Sequence, residues 1–290
     1  MEKIVIDCDN TFGVEGCDLD DGLAIIYALG TSRCELLGVD TTFGNNTLEV
    51  ITPNTISFMK KIGMQSIPVY PGHADDPSQN KAAAFLAETV SRQPGEVSIL
   101  ATGSLTNLYH AWRLDPSFFD KVKQISMMGG ITKPLIIMGQ ELDELNFSCN
   151  SIASFHVLTR GNKIKIATGN ACLGALFTKE RFDRLEQSDS PFLRMLCSQG
   201  QYWFKRENEY FGHDGIYKWD VYAAAALLCP ELFELTTVQI SPDTESLKSG
   251  MLIGSGASRT VDIPVLKDSD EYIEHVYEAY ARFAHSVAIV

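Results

Sequence analysis

Short apolar runs alternate with amphipathic segments along the whole chain. The apolar runs are rich in Ile and Val, as is typical of buried strands; they cover residues 4–8, 36–42, 97–101, 124–128 and 164–168. The segments between them have apolar residues at helical spacing and cover residues 22–29, 48–61, 82–91, 105–113 and 151–159. Strand, loop and helix repeated in this order predict an α/β fold, an open and mostly parallel twisted sheet with helices on both faces.

The second half of the chain is more helical. Ser190 and Pro191 form a helix start signal, which predicts a helix from there to about residue 209. A further helix is expected from about Trp219 to Pro230, edge strands over 233–240 and 251–266, and a closing helix over 272–287. Because we find no repeat, low-complexity tract or linker, we expect one domain over residues 1–290.

Composition and charge exclude several classes of protein. Twenty-four Lys and Arg residues against 37 Asp and Glu give a formal net charge of −13, which opposes binding to nucleic acid or to an anionic membrane surface. Seven scattered cysteines without a Cys-x-x-Cys pair predict neither a disulfide framework nor a cysteine zinc site. The first strand begins near residue 4 and the longest apolar stretch is short, so we expect no signal peptide and a cytoplasmic location.

Carboxylates crowd the end of the first predicted strand. Asp7 and Asp9 end the strand, Asp20 and Asp21 begin the following helix, and Asp18 adds a possible fifth carboxylate. Two such charges 4 Å apart repel by roughly 4 kcal/mol at an effective dielectric of 20, so a bound cation is the simplest remedy. Hard oxygen ligands favour Ca²⁺ or Mg²⁺ over zinc. The alternative is that Asp20 caps the helix and Asp21 sits in its first turn.

Further polar motifs follow the ends of later strands or begin a late helix. They are Gly44-Asn45-Asn46-Thr47, Thr102-Gly103-Ser104-Leu105-Thr106-Asn107, Met128-Gly129-Gly130, Glu144-Leu145-Asn146 and Trp219-Asp220. With these motifs in this order, the chain resembles the inosine–uridine-preferring nucleoside hydrolase family, whose signature is an Asp-x-Asp-Pro-Gly-x-Asp-Asp loop at the first strand. The resemblance covers nearly the whole chain.

The resemblance implies hydrolysis of the N-glycosidic bond of ribonucleosides to free base and ribose. It implies that Asp9 activates a Ca²⁺-bound water as general base. The metal ligands it implies are Asp9, Asp21, the main-chain carbonyl of Thr102, and Asp220; the residues it implies for ribose binding are Asp20, Asn45, Glu144 and Asn146. It also implies a small-molecule nucleoside substrate and a homodimer or homotetramer. The chemistry is consistent, because a carboxylate-rich pocket stabilises the positive charge that develops on the ribose.

The first loop departs from the family signature. Asn10-Thr11 replaces Pro-Gly, and residues 12–19 lengthen the loop before Asp20. Cys17 in this insertion is either a small buried filler or a functional thiol. The family's Gly-Asn-x-Thr stretch has no clear match, and Gln140 is the candidate for its Asn.

A second departure concerns the leaving base. Trp219 stands where non-specific members of the family have a His that is thought to protonate the base, and purine-preferring members also have Trp there. We therefore expect a purine nucleoside, with Trp219 as a stacking platform. His213 is the candidate for an alternative proton donor, or else a solvated loop residue. Four more aromatic residues either wall the base pocket or belong to the core: Tyr210, Phe211, Tyr217 and Tyr222.

Two rival interpretations remain at this stage. Asp7-Cys8-Asp9 also resembles the opening motif of haloacid-dehalogenase-type phosphatases, with Asp7 as nucleophile and Mg²⁺ as cofactor. No Gly-Asp-x-x-x-Asp motif follows, which argues against that reading. The other alternative is a catalytically degenerate relative that binds ribose or Ca²⁺ without turnover.

Overall fold

The computed structural model describes residues 1–287. Its strands are β1 (Glu2–Cys8), β2 (Cys34–Thr41), β3 (Val69–Pro71), β4 (Val97–Ala101), β5 (Gln124–Met128), β6 (Leu135–Ile137), β7 (Gln140–Leu142), β8 (Ile164–Ala167), β9 (Leu176–Thr178), β10 (Gly215–Tyr217), β11 (Phe233–Ile240) and β12 (Arg259–Leu266). Its α-helices are α1 (Asp20–Gly30), α2 (Leu48–Lys61), α3 (Lys81–Arg92), α4 (Thr106–Leu114), α5 (Phe118–Lys121), α6 (Leu145–Ser148), α7 (Ser151–Arg160), α8 (Gly169–Cys172), α9 (Lys179–Asp183), α10 (Pro191–Phe211), α11 (Trp219–Leu228) and α12 (Ser269–Ser286).

Eight strands form the central sheet in the order β11-β12-β8-β5-β4-β1-β2-β3. All neighbours pair in parallel except β11, which is antiparallel to β12 at one edge. The middle strand β4 is buried at all five positions, as expected where helices cover both faces of a parallel sheet. The predicted α/β architecture is therefore confirmed.

Side chains of β1 alternate between two apolar clusters on opposite faces of the sheet. Ile4 and Ile6 belong to the cluster that includes residues of α1, α11 and α12. Val5 belongs to the cluster built with α3, α4 and α7. This alternation follows from the two-residue period of a strand.

The helix start signal before α10 acts as the sequence predicts. The Ser190 side chain accepts a hydrogen bond from the main-chain N–H of Leu193, and Pro191 is the first helical residue. The helix ends at Phe211, two residues beyond the predicted end. Gly212 follows in the left-handed conformation, with φ of 75°, which closes the helix.

The prediction of an edge strand over 251–266 was wrong in two respects. Only Arg259–Leu266 is a strand, and it lies between β11 and β8 rather than at an edge. Residues before it run as bends with isolated bridges to Ile131 and Ser241. Gly256 explains the irregular path, because a Cβ there would lie 1.9 Å from the carbonyl oxygen of Pro242.

The β6–β7 hairpin was not predicted. Its turn residues, Met138 and Gly139, both have left-handed φ angles of 49° and 84°. Such two-residue turns match the twist of a hairpin. They are hard to recognise in a sequence when only one of the two turn residues is glycine.

The carboxyl ends of β1, β2, β4 and β5 lie at one edge of the sheet, and the loops that follow them carry the predicted motifs. Ligands bind at this edge in open parallel sheets. No helix between residues 1 and 287 combines the length and the apolar character needed to cross a membrane.

Candidate active site

Asp9 lies directly after β1 and is fully buried. Its Oδ2 accepts the main-chain N–H of Asn45 at 2.5 Å, and its Oδ1 lies 3.4 Å from Asn45 Nδ2. Gly44 permits this approach, since a Cβ there would lie 2.1 Å from Asp9 Oδ2. These contacts hold the loop after β2 against the end of β1. They also bring Asn45 next to Asp9, two residues that the sequence analysis expects in the same site.

Asp20 and Asp21 begin α1, and both are buried. Asp21 Oδ1 accepts the hydroxyl of Thr102 at 2.7 Å, and Asp20 Oδ2 accepts the main-chain N–H of Asp220 at 3.1 Å. Asp20 therefore does not cap α1, whose N-cap residue is Leu19 without a side-chain hydrogen bond. The two carboxyl groups instead tie α1 to the loop after β4 and to the start of α11.

Two carboxylate oxygens at this point have no hydrogen-bond partner within residues 1–287, Asp20 Oδ1 and Asp21 Oδ2. After burial, the charge of Asp9 has the largest effect on the pKa of Asp21, so the two carboxyl groups are near neighbours. Asp220, at the first turn of α11, is buried within the field of the same carboxyl groups. The structure thus brings four of the predicted acidic residues into one cluster.

Burial and mutual repulsion raise the pKa values in this acidic cluster of Asp9, Asp20, Asp21 and Asp220. Burial is the largest cause for Asp9, and the charge of Asp18 adds to it, so the Asp9 pKa rises to about 7. Burial, followed by neighbouring carboxylates, raises the pKa values of Asp20, Asp21 and Asp220 well above the usual range. The cationic side chains near this cluster are therefore too few to balance the negative charge of its four carboxylates.

Glu144 and Asn146 lie beside the acidic cluster at the start of α6. Glu144 caps this short helix, accepting the main-chain N–H groups of Asn146 at 2.7 Å and Phe147 at 3.0 Å. Burial raises the pKa of Glu144 to about 7. Asn146 Nδ2 donates to the main-chain carbonyls of Thr102 at 3.2 Å and Met128 at 3.1 Å. These contacts place both predicted ribose-binding residues next to the carbonyl of Thr102.

One cavity of about 410 Å³, a size suited to a small-molecule ligand, is lined by most of these groups. Asp9 and Asp21 are not part of its wall and lie behind their neighbours Asn45, Asp20 and Thr102. The polar residues of its wall include Asp18, Asp20, Asn45, Thr102, Glu144, Asn146 and Asp220. The apolar and aromatic residues of its wall include Leu135, Ile137, Leu142, Tyr210, Phe211 and Trp219. The cavity therefore offers an acidic region and an aromatic region to one ligand.

The aromatic residues named by the sequence fall into two groups. Tyr210 and Phe211 line the cavity with Trp219, and Tyr217 packs on Trp219 with ring centroids 5.1 Å apart. Tyr222 belongs to the core, where its hydroxyl donates to the carbonyl of Pro264 at 3.0 Å.

His213 does not line the cavity. Its ring stacks on Phe211 and meets the edge of Tyr217, with centroids 5.8 Å and 5.7 Å away. Neither ring nitrogen has a hydrogen-bond partner within the described residues. The Gln140 side chain points elsewhere too. It donates a hydrogen bond to the main-chain carbonyl of Tyr210 at 2.8 Å rather than to the acidic cluster.

The inserted first loop packs closely onto the site. Tyr202 donates through its hydroxyl to the carbonyl of Cys17 at 2.5 Å, and Arg206 donates to the carbonyl of Gly16 at 2.7 Å. Asp18 Oδ1 accepts a hydrogen bond from Asn45 Nδ2 at 3.2 Å, so the insertion contributes one of the carboxyl groups of the cavity wall. Its signal in the sequence is its position two residues before Asp20.

Sequence reasoning missed Arg206 and Glu207, which also line the cavity. Both lie in the last two turns of α10, before Tyr210 and Phe211. Helical spacing places residues 207, 210 and 211 on one face. The pattern was readable, but only the packing of α10 shows that this face meets the cavity.

The donor set suits a hard divalent cation. Carboxylate oxygens without partners at Asp20 and Asp21 are the groups that such an ion would satisfy. Between residues 1 and 287, no three acidic, His or Cys side chains stand in the spacing of a complete metal site. Asp9 Oδ2 and Asp21 Oδ1 instead accept hydrogen bonds from the N–H of Asn45 and the hydroxyl of Thr102.

Comparisons with known proteins define the class. The family model described as inosine-uridine preferring nucleoside hydrolase matches residues 4–274. A probable uridine nucleosidase 1 of Oryza sativa subsp. japonica is 29% identical over 280 residues, which cover 86% of this chain and 83% of the relative. An inosine-uridine preferring nucleoside hydrolase of Crithidia fasciculata is 25% identical, covering 84% of each chain.

Solved structures agree on the fold. A plant nucleoside hydrolase superposes with a TM-score of 0.85 at 22% identity, covering 96% of this chain and 98% of the other. A purine-preferring ribonucleoside hydrolase from Gardnerella vaginalis gives 0.84 at 20% identity, covering 99% and 100%. The chain belongs to the inosine-uridine preferring nucleoside hydrolase family. It is therefore an enzyme that hydrolyses the N-glycosidic bond of nucleosides.

The family match also bears on the phosphatase hypothesis. Asp7, the nucleophile in that reading, is fully buried outside the cavity and accepts Asn107 Nδ2 at 2.6 Å. This hydrogen bond ties Asp7 to α4, and the match of residues 4–274 to the nucleoside hydrolase family leaves the phosphatase alternative without support.

Proposed function

We propose that this enzyme hydrolyses purine ribonucleosides to free base and ribose, with Asp9 as general base and one calcium ion at the acidic cluster. The observation that supports the proposal is the shared cavity, in which buried carboxylates and Trp219 face one ligand. Ribose at the acidic end and a purine at the aromatic end would fill both regions.

Asp9 is suited to accept a proton from the attacking water. Burial and Asp18 raise its pKa to about 7, and a base titrating near neutral pH combines adequate basicity with an available deprotonated form. The N–H of Asn45 holds the carboxylate in place.

Asp9, Asp21, Asp220 and the main-chain carbonyl of Thr102 are the residues that would hold calcium. When bound, the ion offsets the carboxylate charge and makes a nearby water more acidic. Asp21 would offer the cation its Oδ2, which has no hydrogen-bond partner within residues 1–287.

Asp20, Asn45, Glu144 and Asn146 would orient the ribose hydroxyls. Their carboxylates add negative potential where positive charge develops on the sugar as the base departs. Glu144 and Asn146 are held by main-chain contacts at the start of α6, so they need little rearrangement to bind the sugar.

Trp219 would stack on the departing base. Tyr217 supports its ring from behind at 5.1 Å, and Tyr210 and Phe211 complete the aromatic wall. A purine offers a larger face for this contact than a pyrimidine.

A nucleoside panel tests the proposal. We expect release of free base and reducing sugar from inosine, guanosine and adenosine at higher kcat/KM than from uridine and cytidine, measured by chromatography. Faster release from uridine would contradict the purine preference, and binding without release from any nucleoside would support the degenerate alternative. Phosphate release from generic phosphate esters is expected to be absent.

The single domain over residues 1–290, the homodimer or homotetramer and the cytoplasmic location stay predictions. Light scattering coupled to size-exclusion chromatography tests the assembly, and a single cooperative unfolding transition is expected for one domain.

A further inference from the structure

The C-terminal part of α10 presents a carboxyl group among the aromatic residues of the cavity. Glu207, Tyr210 and Phe211 lie at positions i, i+3 and i+4 and all line the cavity. Glu207 is 9% exposed, so its carboxyl is largely withdrawn from solvent. Two other acidic side chains of the wall accept hydrogen bonds elsewhere, Asp18 from Asn45 Nδ2 and Asp20 from the main-chain N–H of Asp220 at the start of α11.

Within residues 1–287, no cationic side chain forms an ion pair with this carboxyl. The adjacent Arg206 turns its guanidinium to the carbonyl of Gly16, at 2.7 Å. Trp203 lies one turn earlier on α10, beside Glu207. An unpaired, buried carboxyl in a ligand cavity is a candidate for proton transfer.

The charged and titratable groups facing Glu207 come from three elements. Burial is the largest cause that raises its pKa, and Asp18 of the first loop adds to it. Arg206 and then Trp203 act in the opposite direction and lower the pKa of Glu207. Tyr217 of β10 lies near the same carboxyl, because burial, and then the charge of Glu207, raise the tyrosine pKa. The pKa of Glu207 is raised overall, so its carboxyl keeps its proton to a higher pH than the carboxyl of an exposed Glu.

The reaction needs an acid at this end of the cavity. When the glycosidic bond breaks, its electron pair moves to the ring nitrogen of the base, which is a poor leaving group unless it gains a proton. The indole N–H of Trp219 is too weakly acidic to transfer its proton, and His213, which stacks on Phe211, is not part of the cavity wall.

We propose that Glu207 is the catalytic acid that protonates the leaving base. This inference rests on the proposed function. The C–N bond breaks, the base nitrogen takes the electron pair and the proton of the Glu207 carboxyl, and water adds its oxygen to the anomeric carbon. Asp9 takes the proton of that water, and solvent returns it to Glu207, so nucleoside and water give base and ribose.

A pair of substrates tests the role of Glu207. Inosine needs a protonated leaving group, whereas a p-nitrophenyl β-D-ribofuranoside releases an anion that is stable without a proton. We expect Glu207→Gln to lower kcat on inosine by about 10²- to 10⁴-fold, the usual contribution of a general acid. The same variant should hydrolyse the p-nitrophenyl riboside within about threefold of the wild-type rate. In the wild type, kcat on inosine should fall as pH rises and Glu207 loses its proton, and the variant should lack this alkaline decline.

Glu209→Gln is the matched control, because Glu209 is exposed on the same helix and near Lys205. It should leave both substrates unaffected. Glu207→Asp keeps a carboxyl group, so partial activity on inosine with an alkaline decline is expected from it; this variant decides the question if Glu207→Gln fails to fold.

Equal losses on both substrates, or no loss on inosine, would overturn the assignment of Glu207. A wild-type enzyme that hydrolyses neither substrate would overturn the proposed function and this inference together. The wild type acting on inosine therefore separates the two failures.

Discussion

Asp40 is a buried carboxyl group for which the site has no evident use. It lies on β2 in register with Asp7 on β1, and both side chains are fully buried. Neither carboxylate oxygen of Asp40 has a hydrogen-bond partner within residues 1–287. Burial, and then the charge of Asp7, raise its pKa well above the usual range.

Because the folded-state pKa of Asp40 exceeds its unfolded value, its contribution to stability is present below about pH 4 and is lost as pH rises toward the folded pKa. Asp40→Asn removes this loss. We expect the free energy of unfolding of the variant, relative to the wild type, to increase by up to about 1.4 kcal/mol per pH unit above that point. Urea unfolding between pH 4.5 and 8 measures the difference.

The exposed Asp189 provides the control for this comparison, as Asp189→Asn changes the same charge at the surface. The argument would be contradicted if the free energies of unfolding of Asp40→Asn and the wild type differed by the same amount at every pH in this range.

At the scale of elements, the start of α11 is fixed by an unusual contact. Lys218 precedes Trp219 and Asp220, and its ammonium has no hydrogen-bond partner within the described residues. It lies 4.0 Å from the ring centroid of Phe177 and 4.8 Å from that of Tyr280. Burial lowers its pKa to about 7, which shows how poorly this environment solvates the charge.

We expect Lys218→Met to raise the unfolding temperature, because methionine fills the same space without a buried ammonium. Lys218→Ala should lower the unfolding temperature, since the aromatic residues then surround a cavity. Such a cavity costs about 2–4 kcal/mol of folding free energy. Scanning calorimetry at neutral pH makes the comparison. A lower unfolding temperature for Lys218→Met would show that attraction between the ammonium and the rings exceeds the cost of burial.

Elements with strong local patterns were predictable from the sequence. The strand over 97–101 and the helix over 48–61 match β4 and α2 at both ends, because each has a continuous apolar or amphipathic pattern. The β6–β7 hairpin was missed, since its place depends on contact with the cavity rather than on a local pattern. Residues 251–258 were misread because their apolar positions lie in a path shaped by Gly256.

The candidate site divides in the same way. Asp9, Asp20 and Asp21 could be named from the sequence because they end the first strand and begin the next helix, in the order of a known signature, although residues 12–19 lengthen the loop between them. Glu207 was missed, since its meaning comes from the side of α10 that meets the cavity. His213 was placed near the base from its position in sequence, and the structure puts its ring against Phe211 instead.

At the scale of the whole molecule, four of the 37 acidic residues form one buried cluster. Calcium binding there should stabilise the folded chain by about 2.7 kcal/mol when the ion is present at a hundred times its dissociation constant. We expect calcium to raise the unfolding temperature of the wild type, measured by scanning fluorimetry. Asp21→Asn should reduce the shift strongly, whereas Asp189→Asn should retain it. An equal shift in Asp21→Asn would place the ion elsewhere.

Release of ribose from inosine, before and after removal of divalent ions, tests the central claim most directly. The account predicts that chelation abolishes release by the wild type, that calcium restores it, and that Asp9→Asn stays at least about 10²-fold slower at saturating calcium while remaining folded. Ribose release that persists in fully chelated enzyme, or in Asp9→Asn at the wild-type rate, would contradict it.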